Sequence, residues 1–385
     1  MEDTRRESLI PADAYETGAP EATLGAEEEL WLADPETGKL AGGAQKILAA
    51  APEGHFSGEL IDCEIESNAG VHPTPGGVAG DLVSRRRDLA GHAEGLGRLL
   101  GTSGTHPIGD FREQEIIDQP HYRSLKRKLG WLIRRNNTFS LHVHYAVSGK
   151  ERAIYLYNRL REYVPHLLAL SANSPFWQGE LVDQHSARAF VFSRGVPRAG
   201  MPEAFANWFR YTEHVDLLYR AGRIGKLGEI WWDIRPHPVL GTMEIRAFDA
   251  QTDAARNEAL ITLAAALCDR ILAEHDAGEP RPILPVRDIE ENKWSAQQYG
   301  LEGEFLDFDR GEPVQTRRAV EALIEWLDAE TSRDLSGLRK LLKDGPESVR
   351  QLEVYRETGS TLEVVRDLAE RTSRGISKKS SPHPS

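Results

Sequence analysis

The sequence predicts an α+β protein in which helices cover one side of a sheet. Four segments alternate polar and apolar residues, as a strand with one buried face does. Other segments place apolar residues three to four positions apart, which is typical of amphipathic helices. The chain is 40% hydrophobic and 28% charged, an ordinary composition for a globular domain. Together these observations favour a layered architecture of helices on a sheet.

We predict the strands in the first two thirds of the chain, at 23–34, 59–68, 138–147 and 242–250. Each has one apolar face, on which Cys63 is expected to belong to the core. The opposite faces carry mostly carboxylates, imidazoles and a guanidinium: Glu27 and Glu29; Asp62, Glu64 and Glu66; His142 and His144; Glu244, Arg246 and Phe248.

The predicted helices lie at 78–100, 150–172, 202–221 and 253–275, and short helices fill most of 314–372. Pro165 is expected to kink the second helix, because proline removes a backbone donor and clashes with the preceding turn. Pro202 and Asp253 suit the first positions of the third and fourth helices.

The sequence predicts one catalytic domain over residues 21–371. Residues 1–20 are polar and read as a disordered lead, and residues 372–385 read as a disordered tail.

The charge and the cysteine count exclude several classes of function. A formal net charge of −13 argues against a nucleic-acid partner, whose phosphates would be repelled. Two cysteines in 385 residues are not a disulfide framework, which favours a reducing cytoplasm. We expect no secretory segment at the polar N-terminal stretch, and no apolar run reaches the roughly 20 residues that a membrane helix needs.

The polar strand faces have two explanations. On a single strand, a solvated face is the more common one. Four such strands rich in glutamate change that preference, because like charges that lie opposite one another in a sheet repel. Gathered carboxylates and imidazoles then indicate a site for cations, and the oxygen-rich set favours Mg²⁺ or Mn²⁺ over zinc.

Several hard cations in one site suggest that they clamp a polyphosphate during phosphoryl transfer. The sequence contains no G-x-x-x-x-G-K-[ST] motif. Any nucleotide would therefore bind without a P-loop.

At several places in order, the chain resembles glutamate–cysteine ligase family 2, the carboxylate–amine ligases. The matching stretches run from about residue 24 to residue 267. They are GAEEE at 25–29, the spacing of Glu59, Leu60 and Glu66, GTHP at 104–107, HVH at 142–144, LALSANSPFWQG at 168–179, and WWDIRPHPVLGTMEIRAFD at 231–249.

The resemblance implies a curved, mostly antiparallel sheet shaped as a half-open funnel, similar to glutamine synthetase. It implies that ATP phosphorylates the γ-carboxylate of glutamate, that the amine of cysteine attacks the acyl phosphate, and that ADP and phosphate leave. The implied ligands of Mg²⁺ or Mn²⁺ are Glu27, Glu29, Glu66, His142 and Glu244. His144 stays open between a further ligand, a substrate contact and a neighbour that only orients His142.

The resemblance also implies that Arg188, Arg235 and Arg246 neutralise the phosphates or the substrate carboxylate. Arg246 lies two residues from Glu244 and is expected to project into the same space. Trp232, with Trp231 beside it, is a candidate to stack on adenine, although a core position is the more common one for large aromatic residues.

The match weakens at 179–195, where family members carry D-T-G-Y-x-S-x-R and this chain keeps Ser186 and Arg188. Loops beside a rigid sheet usually contact substrate, so the acid and the amine stay open. One alternative is a metal-dependent amide hydrolase on the same scaffold, without ATP. Another is a non-catalytic relative that binds metal or ligand. A homodimer is the default expectation for the assembly.

Overall fold

The computed structural model describes residues 8–16, 18–135, 137–278 and 281–374. Its strands are β1 (Leu24–Ala33), β2 (Phe56–Gly58), β3 (Glu64–Asn68), β4 (Leu99–Gly101), β5 (Ser140–Ala146), β6 (Phe176–Trp177), β7 (Glu180–Leu181), β8 (Ala199–Gly200), β9 (Trp231–Trp232), β10 (Ile234–His237), β11 (Thr242–Asp249), β12 (Glu304–Asp307) and β13 (Glu312–Gln315).

The α-helices of the same part of the chain are α1 (Ala44–Ala50), α2 (Pro75–Gly95), α3 (Pro120–Leu129), α4 (Lys150–Leu160), α5 (Val164–Ser171), α6 (Ala187–Gly195), α7 (Trp208–Arg220), α8 (Ala254–Asp276), α9 (Val286–Tyr299), α10 (Thr316–Asp328), α11 (Ser336–Asp344), α12 (Glu347–Thr358) and α13 (Thr361–Ser373). Short 3₁₀ turns, such as Arg161–Tyr163 between α4 and α5, join some of them.

Seven strands form one sheet in the order β10-β11-β5-β1-β3-β2, and β4 pairs with β1 as well. Every pairing in this sheet is antiparallel. The ten-residue β1 is long enough to pair with β5 through its first half and with β4 through its last three residues. The predicted α+β class with a mostly antiparallel sheet is confirmed.

The main core lies between the outer face of this sheet and the helices. Leu141 and Val143 of β5 and Ile245 of β11 are fully buried in the same cluster as Leu260 and Leu263 of α8. Burying such side chains stabilises the fold by roughly 1.5–3 kcal/mol each. The other face of the same strands is thereby turned away from the helices.

A buried ion pair fixes which way β1 faces. Glu28 points to the helix side, where its carboxylate accepts bonds from Nε and NH2 of Arg86 on α2, at 2.7–3.1 Å. Arg86 also donates to the backbone carbonyls of Gln251 and Thr252. Because neighbours on a strand alternate, Glu27 and Glu29 must then project from the opposite face.

Three parts of the predicted strand pattern are wrong. The segment 59–68 is not one strand, because β3 begins only at Glu64. Asp62 lies in the preceding turn and accepts bonds from the backbone N–H groups of Gly43 and Gln45, at the start of α1. The end of the first predicted helix is instead β4.

The third error is at Phe248. Ile245 of β11 pairs with Val143 and Phe248 pairs with Leu141, so two residues of β11 face one residue of β5. This β-bulge changes the alternation. Phe248 therefore joins the buried core and does not share the face of Glu244.

The predicted helices are largely confirmed, with shifted ends. Asp253 caps α8 by accepting a bond from the N–H of Ala255. The break between α4 and α5 falls at residues 161–163, just before Pro165. Pro202 does not begin a helix, since Asn207 caps α7, and α9 lies in a stretch without a prediction.

The folded region begins earlier than predicted. Ile10, Ala14 and Tyr15 are buried in the main core, so the expected disorder of residues 1–20 is wrong for 8–16 and 18–20. Residues 1–7, 17 and 375–385 lie outside the described part of the chain. Thr372 and Ser373, assigned to the tail, belong to α13.

Within the described ranges, every helix is too short or too polar to cross a lipid bilayer.

Candidate active site

The inner face of the sheet forms one wall of a cavity of about 330 Å³, near the lower end of the usual size for small-molecule sites. Its charged and polar lining is Glu27, Glu29, Glu59, Glu66, His121, Tyr122, Thr138, Ser140, His142, Arg188, Lys226, Trp231, Arg235 and Arg246. Leu60, Leu125, Ile133, Phe192 and Val196 complete the wall on the side of α3 and α6.

The strand register brings residues from distant parts of the chain together. Glu29 of β1 lies opposite Glu66 of β3, and Glu27 lies opposite His142 of β5. One step along the sheet, His144 lies opposite Glu244 of β11. Directly opposed residues in an antiparallel sheet have Cβ atoms about 5 Å apart, so the side chains meet.

The site is not a solvated strand face. Glu29, His142 and Glu244 are 8%, 2% and 0% exposed. Buried charged groups of this kind are normally paired or bound to a cation, which excludes the more common explanation for polar strand faces.

Three overlapping groups of side chains have ligand atoms that all lie within 4.8 Å of one another. They are Glu27, His144 and Glu244; Glu27, Glu66 and His142; and Glu29, Glu59 and Glu66. The structure brings together every residue that the sequence predicts as a ligand. It adds Glu59, which sequence analysis matches to the family spacing without giving it a role.

Glu27 is shared by two of these groups and by both histidines. Its carboxylate lies 3.2 Å from Nδ1 of His142 and 3.5 Å from Nε2 of His144. Burial by itself would raise the pKa of Glu27, but these two contacts outweigh it and hold that pKa well below its ordinary value.

Ser140 at the start of β5 orients two members of the site. Oε2 of Glu29 accepts bonds from the N–H (2.5 Å) and Oγ (2.6 Å) of Ser140. The same Oγ lies 2.7 Å from Nε2 of His142. Glu29 and His142 are therefore held in place before any ligand binds.

Glu244 is bracketed by two arginines. Nε of Arg235 donates to its Oε2 at 2.6 Å, and NH1 of Arg246 donates to its Oε1. Burial would raise the pKa of Glu244, yet the positive charges of Arg235 and Arg246 lower it far below the ordinary value. Arg246 projects from the same face as Glu244, with NH1 3.4 Å from Nδ1 of His142.

The carboxylates near β3 behave in the opposite way. Burial, followed by the negative charges of Glu29 and Glu27, raises the pKa of Glu59 to about 7. Burial and neighbouring carboxylates also raise the pKa values of Glu64 and Glu66 well above normal. Glu64 shares this side of the sheet, but Glu66 is the one that lines the cavity.

Arg188 enters the cavity from α6, and buried Asp249 lies behind it. NH1 of Arg188 is 3.5 Å from Oδ1 of Asp249, and NH2 donates to the carbonyl of Arg246 at 3.0 Å. Asp249 also accepts bonds from Ser174 Oγ and Ser186 Oγ, at 2.7 and 2.9 Å.

The two tryptophans of β9 have different surroundings. Trp231 lines the cavity. Trp232 is 8% exposed and packs among the rings of Tyr157, Phe205 and His214. Trp232 is not among the described residues that line this cavity and lies in the core, the alternative to an adenine contact.

A second cavity, of about 320 Å³, adjoins the other side of Glu27 and His144. Its lining is mostly small and apolar: Gly18, Ala19, Thr23, Leu24, Gly25, Ala26, Asn68, Ala69, Val71, Val239, Leu240 and Thr242. At Gly25 a Cβ atom would meet only the Cβ of His144, at 3.9 Å. The absence of a side chain there leaves the floor of this cavity open.

Comparison with known families decides the membership of the chain. The model of glutamate–cysteine ligase family 2 matches residues 23–368. This chain belongs to glutamate–cysteine ligase family 2. The resemblance seen in the sequence is confirmed.

Two similar proteins come from Rubrobacter xylanophilus. "Putative glutamate--cysteine ligase 2-2" is 68% identical over 369 residues, covering 96% of each chain. The relative numbered 2-3 is 39% identical, covering 92% of this chain and 98% of its own.

Two solved structures share the fold at low identity. A glutamate–cysteine ligase from Francisella tularensis in complex with AMP superposes with a TM-score of 0.67 at 11% identity, covering 94% of this chain and 91% of its own. A bifunctional glutathione synthetase from Pasteurella multocida gives 0.62 at 12% identity, covering 94% and 53%.

The family motifs supply two different parts of the site, the inner sheet face and the surroundings of Asp249. The G-x-E-x-E, H-V-H and E-x-R motifs of the family supply the inner face of the sheet. The S-A-N-S-P stretch and the retained Ser186 and Arg188 converge on Asp249, the last residue of the long signature. His121, Tyr122 and Lys226, which no motif marks, line the outer part of the cavity.

Proposed function

We propose that this member of glutamate–cysteine ligase family 2 is an ATP-dependent ligase that joins a carboxylate to an amine through an acyl phosphate. The observation that carries this proposal is that three overlapping groups of potential cation ligands, two of which include a histidine, lie on one sheet face beside a cavity lined by three arginines. Phosphoryl transfer needs negative charge to be neutralised and reactants to be held in line.

The donor set fits Mg²⁺ or Mn²⁺. It consists of carboxylate oxygens with two imidazoles, which are the ligands that suit these ions. Nε2 of His144 is buried, faces Glu27, and has no hydrogen-bond partner among the described residues. Glu27, Glu29, Glu59, Glu66, His142, His144 and Glu244 would hold the ions. When bound, the ions would neutralise phosphate oxygens and orient them.

The two cavities suit different substrates. The first cavity is lined by more charged groups than the second, including Arg188, Arg235 and Arg246. Arginine's planar fork suits carboxylate and acyl phosphate oxygens, so we place the acid there. The apolar second cavity suits a nucleobase, because bound bases need apolar walls. Glu27 and His144 separate the two, where the phosphates would lie.

In the proposed reaction, an oxygen of the acid attacks the γ-phosphorus of ATP and ADP leaves. The amine nitrogen then attacks the acyl carbon, the carbon–oxygen bond to the phosphate breaks, and phosphate and a proton leave. Arg188, Arg235 and Arg246 bind and orient the anionic acid and its phosphorylated form. Leu125, Ile133 and Phe192 limit access of water to the acyl phosphate.

Glutamate and cysteine are the default substrates, from the names of the relatives. An amide hydrolase would use the potential cation ligands but would have no role for Arg188, Arg235 and Arg246. The ligase is therefore the preferred proposal. A cytoplasmic location and a homodimer stay predictions.

The test follows ADP release by purified protein with Mg²⁺ and ATP, with glutamate, with cysteine, and with both. Glu66→Gln is the matched control, because glutamine mimics the protonated carboxyl that the raised pKa favours, so the fold should persist. We expect release that needs both amino acids and is lost in the variant. Release that needs an acid but accepts other amines would keep the ligase and change the substrate. Absence of ADP release with a broad panel of acids and amines would reject the ligase and favour the hydrolase.

A further inference from the structure

We propose that the N-terminal segment of the chain (residues 8–16 and 18–20) is part of the nucleotide-binding site. It would form one wall of the second cavity and hold His144 in position through Tyr15 and Thr242. This inference rests on the proposed ATP-dependent function. It goes beyond the family match, which begins at residue 23.

The segment is anchored firmly enough to act as a wall. Tyr15 is 2% exposed, and its ring packs edge-on against Trp208 with 5.4 Å between centroids. Its backbone carbonyl accepts a bond of 2.9 Å from the N–H of Gly149. Lys150 donates to the carbonyl of Ala12 and to Glu16. Deep burial of an aromatic side chain makes detachment of the segment costly.

A chain of contacts runs from this segment to the cation ligands. The hydroxyl of Tyr15 donates to the backbone carbonyl of Thr242 at 2.9 Å. Oγ1 of Thr242 lies 2.9 Å from Nδ1 of His144. The other ring nitrogen of His144 lies 3.5 Å from Glu27. Contacts of this kind fix the orientation and tautomer of a ligating histidine.

The segment also lines the second cavity directly. Gly18 and Ala19 face a space that Val71 and Leu240 border from other sides. The N–H of Ala19 donates to the carbonyl of Leu240 at 3.4 Å. Gly18 has φ +142°, and a Cβ atom there would lie 2.8 Å from the Leu240 carbonyl oxygen. Glycine is thus required for the segment to lie this close to the turn before β11.

The chemistry of this wall suits a neutral planar group. Small side chains and backbone line the cavity, and Glu27 and His144 are its only ionisable lining residues within the described ranges. A nucleobase would lie between the N-terminal segment and Val71, with its phosphates directed toward Glu27. The segment would then affect nucleotide affinity and leave the acid site, on the other side of Glu27, unchanged.

The test measures binding of MgADP to the full-length protein by calorimetry, together with the KM values for ATP and for the acid. Ala19→Phe fills the cavity from a half-buried position and places no demand on backbone conformation. Tyr15→Phe removes the bond to Thr242 and keeps the ring. Glu16→Gln is the control, because Glu16 belongs to the same segment but pairs with Lys150 at the surface.

We expect Ala19→Phe to raise the Kd for MgADP at least about tenfold, which is a large change for one side chain. Tyr15→Phe should raise it by a smaller factor, and the KM for the acid should stay within about twofold in both. Glu16→Gln should match the original protein.

An unchanged Kd in Ala19→Phe, with MgADP binding intact in the original protein, would overturn the wall and leave the ligase function standing. An equal rise of Kd and of the KM for the acid would also overturn it, since that pattern indicates general disruption. Failure of the folded original protein to bind MgADP would overturn both the wall and the proposed function.

Discussion

The two ends of the inner sheet face contain the same residue type in opposite electrostatic states. Near β3, burial and neighbouring carboxylates raise the pKa values of Glu59, Glu64 and Glu66. Near β11 and β5, Glu27 is half-buried and Glu244 is fully buried, but histidines and arginines lower their pKa values. Burial alone therefore does not decide the charge of a carboxylate here; its neighbours do.

The difference indicates where the chain relies on a cation. The β11 end is neutralised by its own arginines and histidines. The β3 end gathers mostly carboxylates, whose pKa values are raised, so it must hold protons or bind a cation. A divalent ion at the β3 end would displace protons, whereas at the β11 end it would compete with Arg235 and Arg246. Removing a carboxylate from each end should therefore have different consequences.

Glu27→Gln and Glu66→Gln test this difference most strongly. Each residue belongs to two of the three ligand groups, so each variant should lower kcat at least about 10³-fold, as loss of a key charge at phosphoryl transfer does. The free energy of unfolding should fall only in Glu27→Gln, which takes an ionised partner from two histidines. ADP-release kinetics and urea unfolding measure the two effects. If both variants lowered the free energy of unfolding equally, the proposed electrostatic difference between the two ends would be rejected.

Glu244→Gln tests how far the β11 end is neutralised by the chain itself. The change leaves Arg235 and Arg246 buried without the carboxylate that pairs with both. Breaking a buried ion pair in this way typically costs about 3–5 kcal/mol. We expect a loss of that size in urea unfolding of the metal-free protein. Glu66→Gln is the matched comparison, and a loss in Glu244→Gln no larger than in Glu66→Gln would contradict the assignment.

The pH dependence of the metal-free protein tests the β3 end. A folded-state pKa of about 7 for Glu59 means that the folded protein holds a proton which the unfolded chain releases above its ordinary pKa of 4.5. Stability should therefore be full below that pH and decrease as pH rises toward 7. The difference between 4.5 and about 7 corresponds to about 3 kcal/mol of stability lost across this pH range.

Urea unfolding at about pH 5 and about pH 8, with a chelator present, measures this change. Glu59→Gln should flatten the dependence, and Mg²⁺ should restore stability at the higher pH because it binds the folded state. Stability that increases between the two pH values, and does so equally in Glu59→Gln, would show that the β3 carboxylates are ionised without a cation.

Much of the site could be predicted because β-strands alternate. A period of two places Glu27 with Glu29 and His142 with His144, whatever the rest of the chain does. The α+β class follows from the same alternation together with the helical periodicity. These patterns involve residues that are close together in the chain, so they can be recognised in a single sequence.

The errors arise where tertiary structure overrides a local pattern. The bulge at Arg246 and Ala247 breaks the alternation that would place Phe248 beside Glu244. Tyr15 is buried through contacts with Trp208 and Gly149, which lie far along the chain. Of the adjacent Trp231 and Trp232, the first lines the cavity and the second packs in the core, and the sequence does not show which of the two faces the core. None of these is encoded by nearby residues alone.

Asp249→Asn should have the smallest effect of these variants, because Asp249 acts on the cavity through Arg188. The change keeps the side-chain volume but removes the charge opposite NH1 of Arg188 and weakens the bonds from Ser174 and Ser186. A misplaced Arg188 should raise the KM for the acid about tenfold and leave the KM for ATP unchanged. Steady-state kinetics with each substrate varied measures both.

A double variant with Arg188→Lys separates positioning from general stability. If Asp249 works by holding Arg188, the two changes should not add, since each removes the same interaction. Additive effects on the KM for the acid would assign Asp249 to the fold alone. The acid would then be bound by Arg235 and Arg246, at the end of the cavity where the chain supplies its own positive charge.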